Sequence, residues 1–179
     1  MDISLPLLSN QTMKKSFIYA LLFVGLSYAS CIKKPSYPSE PVIAYKDFIR
    51  YGTDPSNPDS VELVVSFTDN EGDIGLEQAD TNGLFKYGNI WLVYFYDSLG
   101  TWAAYDTSEA SVVPFDTFKF AYRIPPVLPS GDPAEPMKGL IYVKQSTFVK
   151  VFDKIKYVVY MYDRALHKSD TIHTPALEF

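Results

Sequence analysis

The feature that most constrains the fold of this chain is a series of short β-like runs separated by turn residues. In residues 61–68 the odd positions are all apolar, which is the period-two pattern of a strand with one buried face. Residues 89–96 are apolar at nearly every position and predict a central strand that is covered on both faces. The chain also contains 14 Tyr and 12 Phe, residue types that favour strands over helices.

Further runs of the same kind complete an all-β domain. The other predicted strands are residues 42–51, 102–105, 117–124, 139–144, 155–162 and 171–179. Asp97-Ser98-Leu99-Gly100 predicts a hairpin turn, the proline-rich stretch 125–136 predicts a long surface loop, and only residues 145–153 leave room for a helical turn. Seven or eight strands without βαβ alternation predict an immunoglobulin-like β-sandwich, with a closed β-barrel as the alternative.

The N-terminal region has the pattern of a secretory signal peptide. Lys14 and Lys15 precede an apolar run, residues 17–26, and small residues then lead to Cys31, the single cysteine of the chain. The apolar run is shorter than the roughly 20 residues that a transmembrane helix needs. The pattern predicts cleavage before Cys31 and attachment of lipid to its sulfur atom.

These observations divide the chain into three parts. Residues 1–30 are predicted to be the signal peptide, with Met13 as an alternative start, residues 31–41 a lipidated proline-rich tether, and residues 42–179 the sandwich domain. The formal net charge is −5, and the part after the signal peptide has no extended basic cluster. Nucleic acid is therefore excluded as a partner, because binding to it depends on neutralising phosphates.

An acidic loop follows the clearest strand. Asp69, Glu71 and Asp73 place carboxylates at alternate positions, as in the opening of a calcium-binding loop. The loop is not an EF-hand, because Ile74 stands where that loop needs glycine and Asp80 replaces its closing glutamate. The alternative is a turn whose aspartates cap backbone amides.

A second polar loop, residues 162–170, precedes the last predicted strand and contains Asp163. If residues 61–68 and 155–162 are the second and the penultimate strands of a sandwich, the loops that follow them lie at the same end. The four carboxylates that would meet there are Asp69, Glu71, Asp73 and Asp163.

Such a cluster is repulsive unless a positive charge offsets it. Calcium, which accepts irregular cages of oxygen ligands, is one candidate, and the side chains of Arg164 and Lys168 are the other. The prediction depends on strand direction. A full extra strand at residues 102–105 would invert the direction of later strands and separate the two loops.

The two loops also carry a resemblance to a family. Phe67-Thr68-Asp69-x-Glu71-Gly72-Asp73-Ile74-Gly75 and Asp163-Arg164-Ala165-x-x-Lys168-Ser169-Asp170 resemble motifs of small secreted lipoproteins of the Bacteroidota. The resemblance covers the whole chain after the signal peptide, although Leu166-His167 stands where a Gly-Asn turn is more typical. It implies an outer-membrane lipoprotein with one sandwich domain and no assigned activity. Ile32-Lys33-Lys34, in place of acidic residues after Cys31, favours the periplasmic side over the cell surface.

Catalysis has little support in the sequence. His167 and His173 are the only histidines, and no serine lies in a nucleophile motif. A pair of carboxylates that hydrolyses glycosides needs a cleft between them, which a single small sandwich rarely forms. The sequence therefore predicts a protein that is not an enzyme.

Two non-catalytic functions remain. The preferred one is an accessory or structural subunit of a cell-envelope protein complex, and the alternative is a ligand-binding module, most simply for carbohydrate. Trp91 and Tyr94 would lie on opposite faces of one strand and cannot line one flat site. Trp102, beside the predicted hairpin turn, is therefore the aromatic candidate for ligand binding.

Overall fold

The computed structural model describes residues 34–105, 119–128, 131–146 and 152–179. Cys31 and the predicted signal peptide lie outside these residues. Ser36–Phe179 forms one compact unit, and its architecture is all-β. In the part of the chain that the structure describes, no helix is long and apolar enough to cross a membrane.

Nine strands are present in the described residues, with one short 3₁₀ turn at Gly83–Lys86 that the sequence did not predict. The strands are β1 (Val42–Tyr51), β2 (Ser60–Asp69), β3 (Ile90–Ser98), β4 (Thr101–Ala104), β5 (Lys119–Tyr122), β6 (Met137–Ser146), β7 (Lys154–Met161), β8 (Ile172–His173) and β9 (Leu177–Glu178).

The strands form two separate antiparallel sheets. The first has the order β1-β2-β6, and the second has the order β4-β3-β7-β8, with β5 also paired to β3 and β9 to β7. This order corresponds to the A-B-E and C′-C-F-G sheets of immunoglobulin-like domains. The β-sandwich prediction is confirmed, and the closed barrel is wrong.

The third strand is central, as its apolar sequence predicted. It pairs with β7 along one edge and with both β4 and β5 along the other. β4 lies beside residues 95–98 of β3 and β5 beside residues 90–93, so the two short strands run in the same direction and act as one interrupted strand. The extra strand therefore leaves β2 and β7 pointing toward the same end of the sandwich.

The core lies between the two sheets, where alternate residues of each strand face inward. In β7 every second residue is buried, which is the pattern expected of a strand with one covered face. An aromatic group occupies the centre, where Tyr94 contacts Tyr105, Phe152 and Tyr157. The hydroxyl of Tyr157 donates a hydrogen bond of 2.9 Å to Gln145 Oε1.

The C-terminal region differs from the single strand predicted for residues 171–179. Pro175 interrupts it because proline has no N–H to donate to the neighbouring strand. Thr174 keeps the ladder connected, since its N–H donates to Tyr157 O and its hydroxyl accepts a hydrogen bond of 2.9 Å from Tyr157 N. The helical turn allowed at residues 145–153 falls largely outside the described residues, and Gln145 belongs to β6.

Candidate metal centre

The loop after β2 places two aspartates at one end of the sandwich. Asp69, the last residue of β2, is fully buried, and its Oδ2 accepts hydrogen bonds from Gly72 N at 2.6 Å and Asp73 N at 3.2 Å. Gly72 has φ of +70°, a conformation that glycine adopts without strain. Ile74, also fully buried, anchors the loop in the core, which explains an apolar residue where an EF-hand has glycine.

The loop after β7 brings Asp163 to the same end. Asp163 is fully buried, and its Oδ1 accepts a hydrogen bond of 2.8 Å from His167 N. Its Oδ2 lies 2.8 Å from Nδ1 of the same histidine. Leu166 has φ of +70°, so the turn takes the left-handed conformation at the position where glycine is more typical. The two loops are joined directly, since Arg164 N donates to Asp73 O at 3.0 Å.

Three of the four predicted carboxylates meet. Asp69, Asp73 and Asp163 each offer an oxygen atom, and these atoms all lie within 4.8 Å of one another. Glu71 is not part of this cluster. Its Oε1 accepts hydrogen bonds of 3.1 Å from Ser39 Oγ and from Asn70 Nδ2, while Tyr37 N donates to Asn70 Oδ1 at 3.2 Å. The last residues of the predicted tether are therefore bound to the acidic loop.

Turn capping does not use every oxygen of the cluster. Asp69 Oδ1 and Asp73 Oδ1 are buried and have no hydrogen-bond partner among the described residues, and the same holds for Glu71 Oε2. A buried carboxylate oxygen without a donor is costly, because it has lost its hydration without compensation. The capping alternative thus accounts for Asp69 Oδ2 and Asp163 Oδ1, and it leaves Asp69 Oδ1 and Asp73 Oδ1 unexplained.

The proximity of these groups changes their affinity for protons. Burial, together with the charges of Asp73 and Asp163, raises the pKa of Asp69 to about 6. The hydrogen bonds that Asp69 accepts from two backbone amides lower its pKa but do not cancel this effect. Burial and the charge of Asp163 also raise the pKa of Asp73. The pKa of His167 is raised by its hydrogen bond to Asp163 and by the charge of that carboxylate.

The side chains of Arg164 and Lys168 do not neutralise the cluster. Arg164 Nε lies 3.1 Å from Asp80 Oδ2, and its guanidinium is 3.9 Å from Glu77 Oε1. Lys168 Nζ lies 4.6 Å from the centre of the Tyr160 ring. Asp69 and Asp73 take part in none of the ion pairs found in the described residues. The cluster therefore keeps a net negative charge that a metal cation could offset.

Asn89 holds the site together and was not identified from the sequence. It is fully buried, and its Nδ2 donates to Ile74 O at 2.7 Å and to Tyr162 O at 3.0 Å. Its Oδ1 accepts a hydrogen bond of 3.0 Å from Ile124 N. This side chain thereby links the ends of both acidic loops. The signal in the sequence was a single polar residue directly before the most apolar strand.

The remaining candidate residues lie elsewhere. Trp102 is half-buried in β4, and Lys156 Nζ lies 4.3 Å from the centre of its ring. Trp91 and Tyr94 face opposite sides of their sheet, because Trp91 stacks on Tyr160 while Tyr94 is in the core. His173 is exposed in β8, apart from the turn that contains His167.

These features define an immunoglobulin-like β-sandwich with a cluster of three acidic residues at one end that could hold a metal ion. All of the cluster's ligand atoms are carboxylate oxygens, the ligand type that hard cations prefer. No protein-family model, no curated protein and no solved structure matches this chain.

Proposed function

We propose that this protein is a non-catalytic, calcium-binding subunit of a bacterial cell-envelope complex, anchored to the outer membrane through acylated Cys31. The observation that carries the calcium assignment is the buried group of Asp69, Asp73 and Asp163, in which two oxygens have no donor among the described residues. An ion between the loops after β2 and β7 would replace the missing donors and offset the repulsion.

Calcium suits this group better than the other common biological cations. Zinc prefers nitrogen and sulfur ligands, whereas the cluster offers only oxygen. Magnesium requires near-ideal octahedral geometry, while calcium accepts 6 to 8 oxygens in irregular arrangements. The cluster is built from two loops of different conformation, and three carboxylates leave positions for backbone oxygens or water.

The calcium assignment is tested by thermal unfolding of the purified protein in excess chelator and across a calcium titration. A ligand that binds only the native state adds about 2.7 kcal/mol at 100 times its dissociation constant. We expect a rise in the midpoint of about 5–10 °C for a domain of this size. The shift should disappear in Asp69→Asn and persist in Asp59→Asn, a matched change at an exposed aspartate. An unchanged midpoint at every calcium concentration would remove the assignment.

The anchor and the envelope location are supported by the sequence around Cys31. Two or more acyl chains give stable membrane retention, so the wild-type protein should remain with membranes after a carbonate wash and Cys31→Ala should be released. Retention of that variant would contradict the anchor. Protease treatment of intact cells tests the proposed periplasmic orientation, which predicts that the domain survives until the outer membrane is permeabilised.

The subunit role is supported by the small sandwich and by the absence of a catalytic motif from the sequence. Both histidines lie outside any nucleophile arrangement, and His167 is bonded to a buried aspartate of the cluster. Chemical crosslinking in intact cells, followed by purification of the tagged protein, should yield one stoichiometric envelope partner. A protein that migrates only as a free monomer after crosslinking would contradict this role.

A further inference from the structure

A cavity lies beside the candidate metal centre and shares residues with the loop that forms it. Its volume is about 290 Å³, and its wall includes Glu71, Asp73, Glu77, Asp132 and Arg164. Asp73 belongs both to this wall and to the three-carboxylate cluster. An ion bound by the cluster would therefore lie next to the cavity, and ligand positions that the protein leaves open could be filled from it.

The charges of the wall determine which ligands can enter. Four carboxylates and one guanidinium line the cavity, and Arg164 is already paired with Asp80 and Glu77. Because one divalent ion offsets only two negative charges, the region stays negative after the ion binds. Phosphates and carboxylates are therefore disfavoured, and the ligand must offer oxygen atoms that carry no charge.

The hydrogen-bonding capacity of the wall further restricts the chemical class of the ligand. Carboxylates only accept hydrogen bonds, so a ligand that lies beside Glu77 and Asp132 of the wall must donate hydrogen bonds to them. A hydroxyl group satisfies both requirements, because its oxygen can bind the cation while its hydrogen is donated to a carboxylate. Vicinal hydroxyls on a ring repeat this arrangement at a fixed spacing.

Another part of the wall is apolar. Pro126, Val127, Leu128 and Ala134 line it, and they present a surface suited to the C–H groups of a sugar ring. The volume is at the small end of the range for ligand pockets, which fits one ring. We infer that this cavity binds a single sugar residue, free or at the end of a glycan, through vicinal hydroxyls that contact the calcium ion and the wall carboxylates.

This inference rests on the proposed calcium site, and one set of measurements separates the two. The probes are methyl glycosides of mannose, galactose, glucose and fucose, titrated into ¹⁵N-labelled protein with calcium or with chelator. A ligand of about a dozen non-hydrogen atoms reaches about millimolar affinity at ordinary ligand efficiency. We expect saturable shifts of the amide signals of residues 71–77 and 131–135 with at least one glycoside, and only with calcium.

Two variants report on the cavity without touching the cluster. Asp132→Asn should weaken sugar binding by about fivefold to tenfold through loss of a charge-assisted hydrogen bond, and Ala134→Leu should block entry by filling space. Both variants should keep the calcium-dependent rise in the unfolding midpoint. The control Asp153→Asn, at an exposed aspartate outside the cavity, should keep this rise and should also bind the sugar normally.

The outcomes are distinct. A calcium-dependent midpoint without any glycoside binding would overturn the sugar inference and leave the calcium site intact. Glycoside binding that is equal in chelator, or unchanged in Asp132→Asn and Ala134→Leu, would overturn it as well. Binding of lysine amide in chelator, with no glycoside bound, would assign the cavity to ammonium groups instead. Loss of the calcium effect itself would remove the proposed function on which the inference rests.

Discussion

Asp69 ends the second strand and Asp163 follows the seventh, yet their carboxylates meet at one end of the sandwich, and neither residue is exposed to solvent. Each uses an oxygen to cap its own turn, Asp69 through Gly72 N and Asp163 through His167 N. Local capping and convergence on an ion are therefore compatible, because a carboxylate has two oxygens with several lone pairs.

Asp69→Asn should affect stability in opposite directions with and without calcium. In chelator the change removes a buried negative charge from beside Asp73 and Asp163, so we expect the free energy of unfolding to rise by about 1–2 kcal/mol. In saturating calcium the variant should be less stable than the wild type, because a ligand of the ion is lost. Denaturant unfolding under both conditions measures the difference. A variant destabilised equally in both would contradict the ion-binding role.

The ion-free protein should become more stable as the pH falls from 7 to 5. Asp69 has a native pKa of about 6 and an unfolded value of about 4, so the native state retains a proton that the unfolded chain has lost. Between pH 7 and pH 5 this difference is worth about 1–1.5 kcal/mol. The raised pKa values of Asp73 and His167 act in the same direction. Urea unfolding in chelator at pH 5, 6 and 7 tests the trend.

The calcium effect should have the opposite pH dependence. Protons compete with the ion for Asp69 and Asp73, so the calcium-induced rise in midpoint should shrink between pH 7 and pH 5. Repeating the calcium titration at both pH values measures it. A calcium effect that is equal at pH 5 and pH 7 would indicate binding away from this cluster.

Asn89→Ala should weaken both the fold and the ion site. The change leaves Ile74 O, Tyr162 O and Ile124 N without the partners that the side chain supplies, and we expect a loss of about 2–4 kcal/mol. Asn82→Ala, at a position with no side-chain cap, is the matched control and should change stability by less than about 0.5 kcal/mol. Calorimetry of both variants in calcium and in chelator provides the comparison.

Gly75→Ala should destabilise the loop after β2 through a direct clash. A Cβ atom at this position would lie 2.4 Å from Pro125 O and 2.6 Å from Pro126 Cα, and the backbone of the adjacent segment would have to move. Overpacking of this kind costs about 1–3 kcal/mol. At Gly83 an added Cβ meets nothing within 4 Å, so Gly83→Ala should cost only the strain of its positive φ, about 1 kcal/mol. Equal losses in the two variants would contradict the steric account.

Several parts of the fold followed from the sequence because they depend on local patterns. Alternation in residues 61–68 marked β2, the apolar run marked β3 as central, and Asp97–Gly100 marked a hairpin turn, whose loop in the structure has two residues. In that hairpin Leu99 and Gly100 both have positive φ, as its type requires. The short 3₁₀ turn at Gly83–Lys86 and the division of the last strand were missed, since short elements carry little periodic signal.

The sequence by itself determined which residues could form strands and which loops were acidic, because side-chain alternation and turn propensity are local properties. Only the tertiary structure decided that β4 and β5 share one edge of β3, which keeps the ends of β2 and β7 together. It also decided that Glu71 turns to Ser39 and that Arg164 pairs with Asp80. These contacts join residues far apart in the chain, and their partners depend on the packing of both sheets around one core.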